Sequence, residues 1–348
     1  MESVIRTLLG SIQLGDPVGD RGLTILPVLG EFTGVPPLVT LGEALAAGTL
    51  TITEVSLGGS VPDLKARNTA AVGVLIVDGE ELAGAKQNRV LNTSVYIGPW
   101  QEVVIPVSCT EHGRWSYQST AFSDSGHLSA VAVRMAAHDS VTRSARRGGG
   151  FRSDQGRVWE EVALLQERHR VASPTAAARD VYEARDETVR RRETAFTRVP
   201  GQLGLLALWS GRVVGLDVLG TSAAYARLHE RFVRSYALDA PGGGPASVEA
   251  DRRTAKEWLA GLAGSTVTVH ESPGKGWPTA SPARERWDRC WRWMGRSCML
   301  SLSPPRRRPR AGSGSHDPRS SVIPATSSAG TASPGRARGL GGPGPGGS

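Results

Sequence analysis

The chain has 348 residues, 39% of them apolar, with a formal net charge of +8. It is long enough to bury a substantial core, and basic enough to raise the question of nucleic acid. The charge distribution argues against that for most of its length. Residues 278–348 carry 12 Arg, no Lys and only Glu285, Asp288 and Asp317 as acids, so residues 1–277 hold 29 basic and 30 acidic side chains. A basic footprint is confined to the tail, and no nucleic-acid partner is expected for the folded part. Cys109 is the only cysteine before residue 278, which points away from a disulfide framework. The start, MESVIRTLLG, has Glu2 where a signal peptide wants positive charge, and no apolar run approaches a membrane span. The expectation is a soluble, cytoplasmic protein with no membrane contact.

Residues 3–14 read as a short amphipathic helix. Strand-like runs follow at 23–29 and 38–40, then a small helix at 41–47, and 50–56 alternates in period two as a half-buried strand does. The apolar run 74–77 meets Asp78-Gly79, which predicts a hairpin with a tight turn. From 88 to 97 the odd positions Leu91, Val95 and Ile97 are apolar, while Asn88, Asn92 and Ser94 share the other face. From 103 to 109 the odd positions are again apolar, which puts Cys109 on the core side.

Residues 140–157 (SVTRSARRGGGFRSDQGR) read as a flexible basic loop. Helices are expected at 158–169, 175–196, 222–238 and 246–263. In the third of these Tyr225, Leu228, Phe232 and Tyr236 form one stripe. Between helices, LGLLALWSGRVVGLDV at 203–218 reads as a second hairpin echoing VGVLIVDGEEL. A strand is expected at 265–271, followed by PGKGW. The fold class is α+β: a β-rich N-terminal half with hairpins, a helical C-terminal half packed with a further hairpin, and a disordered C-terminal tail. The domain spans 1–277, with its loop at 140–157, and the tail 278–348.

The tail is rich in Arg, Pro, Gly and Ser, yet Trp287, Trp291 and Trp293 crowd its start. Trp293-Met294-Gly295 is encoded by TGG-ATG-GGN, which contains Asp-Gly in the frame two bases on. Reading 287–298 in that frame, with CGN arginine codons before Trp293, permits Gly-Ser-Val-Leu-Ala-Leu-Asp-Gly-Glu-Val-Val. That is a strand, an Asp-Gly turn and a strand. The expectation is a frameshift shortly after Trp277 that replaces a native last hairpin; a genuine basic tail is the alternative.

The chemistry concentrates in VLIVDGEELAGAKQNRVLNTSVYIGPWQEVVIPVSCTEHGRW, residues 74–115. Acid, amide and base arrive together beside strands, as binding sites require and scaffolds rarely do. Only four of the 41 basic residues are Lys, and two of them, Lys86 and Lys275, sit in Gly-containing polar motifs where a compact point charge suits an anion. Lys86 and Arg89 are candidates to hold phosphate or carboxylate, with Gln87 and Asn88 orienting it. Arg114 and Trp115 are candidates to clamp a planar anionic ligand, and Lys275 to close the site. Glu81 and Glu111 are the candidate acid or base.

Each has a structural alternative: an ordinary ion pair, amides stitching a turn, a core Trp. Cys109, on the buried face, reads as an inert small hydrophobe rather than a nucleophile. His112, His127 and His138 lack zinc-ligand spacing, so no metal is expected. Walker, Gly-x-Gly-x-x-Gly and Gly-x-Ser-x-Gly patterns are absent from the body, and no cofactor is expected.

GEELAGAKQNRVLN together with IPVSCTEHGRW resembles a bacterial family, the ARG and rhodanese-phosphatase-superfamily-associated protein domain, over roughly residues 20–277. GSVPDL at 59–64 and the region of Gln155, Val158 and Trp159 fit the same pattern, and the chain departs from it after Trp277. The resemblance implies, by neighbourhood with ADP-ribosylglycohydrolases and rhodanese or phosphatase-like proteins, a link to ADP-ribose or nucleotide-derived chemistry, and it names no reaction. Two functions remain open. One is a domain that binds or processes a polar phosphorylated small molecule such as an ADP-ribose or nucleotide derivative. The other is a non-catalytic protein-interaction module whose motif is a structural polar network, with 175–196 as its exposed surface and an unspecified protein partner.

Overall fold

In the computed structural model, three sheets and the helices that cover them build an α+β fold. The structure describes residues 9–32, 34–56, 58, 60–240, 247–263, 273 and 299–302. By contacts one compact unit runs to Pro305, and every described residue lies within it.

The first sheet is antiparallel. It contains β1 (Gln13–Leu14), β2 (Val18–Asp20) and β3 (Leu23–Leu29), and it is completed by strands from the far end of the domain described below. A three-stranded sheet is formed by β4 (Leu38–Thr40), β7 (Gly73–Ile76) and β10 (Val95–Ile97), with β4 parallel to β7. The third sheet joins β5 (Leu50–Glu54), β6 (Asp63–Asn68), β8 (Glu80–Gly84), β9 (Arg89–Leu91), β11 (Glu102–Cys109) and β12 (Phe122–Leu128), in the order β12-β8-β9-β11-β6-β5. The chain then returns to the first sheet as the hairpin β13 (Gln202–Trp209) and β14 (Arg212–Leu219), followed by β15 (Met299–Leu302) on the β14 edge.

Two helices sandwich the first sheet. Helix Ser222–Asp239 lays Tyr225, Phe232 and Tyr236 against Ile25, Leu205 and Ala207. Helix Val248–Ala263 puts Ala255, with Trp258, Leu259 and Leu262, against Val28, Leu206 and Leu208 on the other face. The stripe expected at 225–236 is therefore the packed one, and the Thr221 hydroxyl caps its helix by accepting from the Ala224 amide.

A separate core fills the space between the second and third sheets, where Val74, Ile76, Val95 and Ile97 meet Leu64, Ala66, Ile105 and Val107. Strand β7 divides the two cores, since Leu75 and Val77 belong to one and Val74 and Ile76 to the other. A strand buried on both faces reads as a continuous apolar run, as this one does.

Three local readings need correction. Asp78-Gly79 is a turn, but its flanking strands β7 and β8 lie in different sheets, so it hands the chain between layers instead of closing a hairpin. Gly79 has φ +83°, and a Cβ there would stand 2.7 Å from the Arg134 side chain, so only glycine serves. The hairpin in this region is β8–β9, with AKQN at 85–88 as its connection.

The expected basic loop 140–157 begins inside a helix, Val131–Arg146, which buries Val131, Val133, Arg134, Ala136, Ala137, Ser140 and Val141. Its small, weakly apolar residues hide that periodicity, and only 147–154 separate it from the next helix, Gln155–His169. Strands β6 and β12 were also not expected. Their sequences, DLKARN and FSDSGHL, carry too few apolar residues to register as strands, and each is held by pairing to a neighbour.

The expected strand at 265–271 and the Trp cluster at 287–293 fall outside the described residues. Within 278–348 the structure describes one element, β15.

Candidate functional site

Strand β8 sends its two glutamates to opposite faces, as alternation demands. Glu80 Oε2 accepts from the Val77 amide at 2.8 Å, and Oε1 accepts from Arg231 Nη1 at 3.1 Å; the same guanidinium clamps Asp124 at 2.9 and 2.5 Å. Glu80 therefore ties the 78–79 turn to helix Ser222–Asp239. Burial pushes its carboxyl upward, with Arg231 opposing.

Glu81 is fully buried on the other face. Its Oε1 accepts from Thr110 Oγ1 at 2.9 Å. Burial pushes the carboxyl up to about 7, and the Thr110 and Ser125 hydroxyls pull the other way. A neutral carboxyl at this site is what desolvation favours.

Asn88, Glu111 and Arg114 form a second, closed group. Glu111 Oε2 accepts from Arg114 Nη2 at 2.6 Å and from the Asn88 amide at 3.2 Å, while Oε1 accepts from Thr175 Oγ1 at 2.9 Å. Arg114 also donates to the Ala85 and Ser116 carbonyls and to Asn88 Oδ1. Burial raises Glu111, but the bonds from Arg114, Thr175 and the Asn88 amide outweigh it and hold the carboxyl below its usual range. All three residues are buried. Both terminal nitrogens of Arg114 are bonded inside the protein, while its Nε is buried without a partner, and the group pins the β8–β9 connection to the chain after β11.

Arg89 does not reach the surface either. It pairs across the ladder with Cys109, so both point to the core side, where Arg89 is fully buried. Its Nη1 donates to Gln87 Oε1 at 2.8 Å and to the Cys109 sulfur, and the Cys109 thiol donates to the same Gln87 oxygen at 2.8 Å. Burial lifts the thiol to about 11 despite Arg89, which agrees with an inert cysteine. Glu54, at the end of β5, faces this group, with Oε1 3.7 Å from Arg89 Nη2.

Sequence reasoning missed Glu54, although a signal existed: in LTITE it continues the apolar parity of Leu50 and Ile52. Arg89 likewise sits in step with Leu91. A carboxylate and a guanidinium that both break the apolar face of neighbouring strands are candidates to meet.

Among the described residues Lys86 is the motif cation at the surface. Its Nζ donates to the Gly58 carbonyl at 2.7 Å and lies 5.1 Å from the Trp115 ring centroid and 5.0 Å from that of Tyr117. Trp115 is 49% and Tyr117 50% exposed, and Arg89 Cζ lies 5.6 Å from the Trp115 centroid. The structure thus brings Lys86, Gln87, Arg89 and Trp115 together, with Asn88, Glu111 and Arg114 as their support. Tyr117 joins them unannounced, two residues beyond the motif. Glu81 points elsewhere, and Lys275 lies outside the described residues.

A further network was invisible in sequence. Arg134 Nη2 donates to Asp217 Oδ1 at 2.8 Å and Nη1 to Oδ2 at 3.2 Å, while Tyr236 Oη donates to Oδ2 at 2.6 Å. Asp78 Oδ2 stands 3.4 Å from Arg134 Nη2. This network joins the 78–79 turn to the first sheet and two helices.

Among the described residues no group of three or more His, Cys, Asp or Glu is placed to hold a metal ion, and no helix is long and apolar enough to cross a membrane. Comparison with curated proteins and with solved structures gave no match. Residues 11–298 match the family described as the ARG and Rhodanese-Phosphatase-superfamily-associated Protein domain, a span that reaches past Trp277 and takes in both motif blocks. The chain belongs to that family.

Proposed function

We propose that this protein binds a polar, phosphorylated small molecule of the nucleotide or ADP-ribose class on the surface formed by Lys86, Trp115 and Tyr117. The observation that carries the reading is the position of the Lys86 ammonium about 5 Å from two half-exposed aromatic rings. Aromatic surface next to a compact cation suits a planar base with a phosphate attached. Glu81 and Glu111 would serve as acid or base only if a ligand reached them, so the reading assigns binding and no reaction. It also places the protein in the cytoplasm of a bacterium, with Cys109 reduced.

The test is thermal and calorimetric titration with ADP-ribose, ADP and ribose 5-phosphate. Ligand at a hundred times Kd stabilises by about 2.7 kcal/mol. Saturable stabilisation by at least one of these, lost in Lys86→Ala and Trp115→Ala, is expected. A flat response of the wild type across all three overturns the reading.

The second reading, a protein-interaction module, is favoured by one observation: Asn88, Glu111 and Arg114 hydrogen-bond to one another in the interior. It predicts that Lys86→Ala changes assembly in size-exclusion chromatography and that no ligand effect exists. We further propose that the sequence after Trp277 arises from a frameshift in place of a native hairpin.

A further inference from the structure

Burying an ion pair without completing its hydrogen bonds is costly, and unsatisfied buried groups call for an explanation. Glu54 and Arg89 are such a pair. Both Glu54 carboxylate oxygens, and Nε and Nη2 of Arg89, are buried without a hydrogen-bond partner. The Arg89 side chain has no exposure and that of Glu54 has 4%, with 3.7 Å between Nη2 and Oε1. That separation exceeds a direct hydrogen bond yet lets a single oxygen bridge the two.

The chemistry of these four atoms is specific. Nε and Nη2 form one side of the guanidinium fork, giving two parallel donors, and the carboxylate gives two acceptors. Their charges cancel, so a phosphate or carboxylate gains little there. A hydroxyl accepts from a guanidinium N–H and donates to a carboxylate oxygen, and two adjacent hydroxyls match two donors and two acceptors. Nη1 is already committed to Gln87 and Cys109, which fixes the plane of the fork. Above the fork stands the Trp115 ring, half-exposed and 5.6 Å from Arg89 Cζ.

We propose that Glu54 and Arg89 form the sugar subsite of this protein, binding the vicinal hydroxyls of a pentose once the Trp115 ring swings aside, while Lys86 holds the attached phosphate. This rests on the nucleotide-class reading above and deepens it.

The test compares ADP with 2′,3′-dideoxy-ADP by calorimetry on the full chain. Because hydrogen bonds to charged groups are the strong ones, the dideoxy compound is expected to bind about tenfold more weakly or worse. Glu54→Gln should weaken ADP and narrow the difference between the two, whereas Lys86→Ala should weaken both alike. Equal binding of ADP and its dideoxy analogue by the wild type overturns the sugar subsite and leaves the Lys86 surface standing, as does binding of ADP-ribose with none of ADP or ribose 5-phosphate. The ligand comparison on wild-type protein decides the matter even if Glu54→Gln fails to fold. Full discrimination retained in a folded Glu54→Gln also overturns the assignment. No binding by ADP, ADP-ribose or ribose 5-phosphate removes both readings together.

Discussion

Arg134 and Asp217 are joined by two hydrogen bonds, of 2.8 and 3.2 Å, with the Arg134 side chain 4% exposed and that of Asp217 fully buried. One comes from the helix that follows β12 and the other from β14, so the pair fastens the middle of the chain to the first sheet. Tyr236 completes it from a third element, and Gly215 lies so close that a Cβ there would meet the Tyr236 hydroxyl at 2.2 Å.

Removing one member of this pair strands the other charge in the core. Asp217→Ala should cost about 3–5 kcal/mol, and Tyr236→Phe about 1 kcal/mol. Urea unfolding monitored by tryptophan fluorescence measures both. A loss under about 1 kcal/mol for Asp217→Ala would show that Arg134 finds water or another partner.

Glu81 sets a pH dependence. Burial raises its folded-state carboxyl from the ordinary 4.5 to about 7. The unfolded chain then ionises first as pH rises, so stability is full below about 4.5, falls between there and about 7, and is flat above. The span is on the order of 3 kcal/mol. Glu81→Gln should remove that slope and leave the variant more stable than wild type above pH 7. Parallel stability curves for the two proteins would refute this.

Glu111 works in the opposite sense. Although burial raises it, the bonds from Arg114, Thr175 and the Asn88 amide leave it depressed, so its contribution is present above the unfolded value and fades as pH falls through the folded one. Arg114→Ala should cost about 3 kcal/mol at pH 7 and much less near pH 3. A cost independent of pH would mean that Arg114 acts through packing alone.

Cys109, buried and raised to about 11, should resist labelling. In a Cys290→Ser/Cys298→Ser background, a thiol reagent at pH 8 should modify it within minutes only after denaturation. Rapid modification of the folded protein would place the thiolate at the surface and reopen a nucleophilic role.

The edge of β14 receives Met299–Leu302 as an antiparallel neighbour, and the frameshift proposed for the sequence after Trp277 has a direct test. Sequencing the gene from the codon of Trp277 to that of Ser303 should reveal one base whose insertion or deletion restores Leu-Asp-Gly-Glu. An unbroken frame in independent clones of the gene would make the basic tail native.

The sequence by itself determined the elements whose residues carry their own periodicity. The parity of 103–109 with Cys109 turned inward and the Tyr225–Tyr236 stripe each encode a face by spacing, while the continuous apolar runs at 74–77 and 203–208 mark strands covered on both sides. It also located the cluster at 80–115, because mixed acid, amide and base beside apolar strands stand out locally.

Tertiary structure decided what each of those side chains does. Arg89 and Lys86 are three residues apart and chemically alike, yet one is sealed against Glu54 and the other lies out beside Trp115 and Tyr117. The difference comes from strand pairing: β9 pairs with β11, which turns Arg89 toward Cys109, while Lys86 falls in the connection before that ladder begins. Arg134 and Asp217 were silent for the same reason, and the parity of Glu54 marked a buried position without naming its partner. A buried charge is defined by its partner, and these partners lie between 35 and 83 residues away.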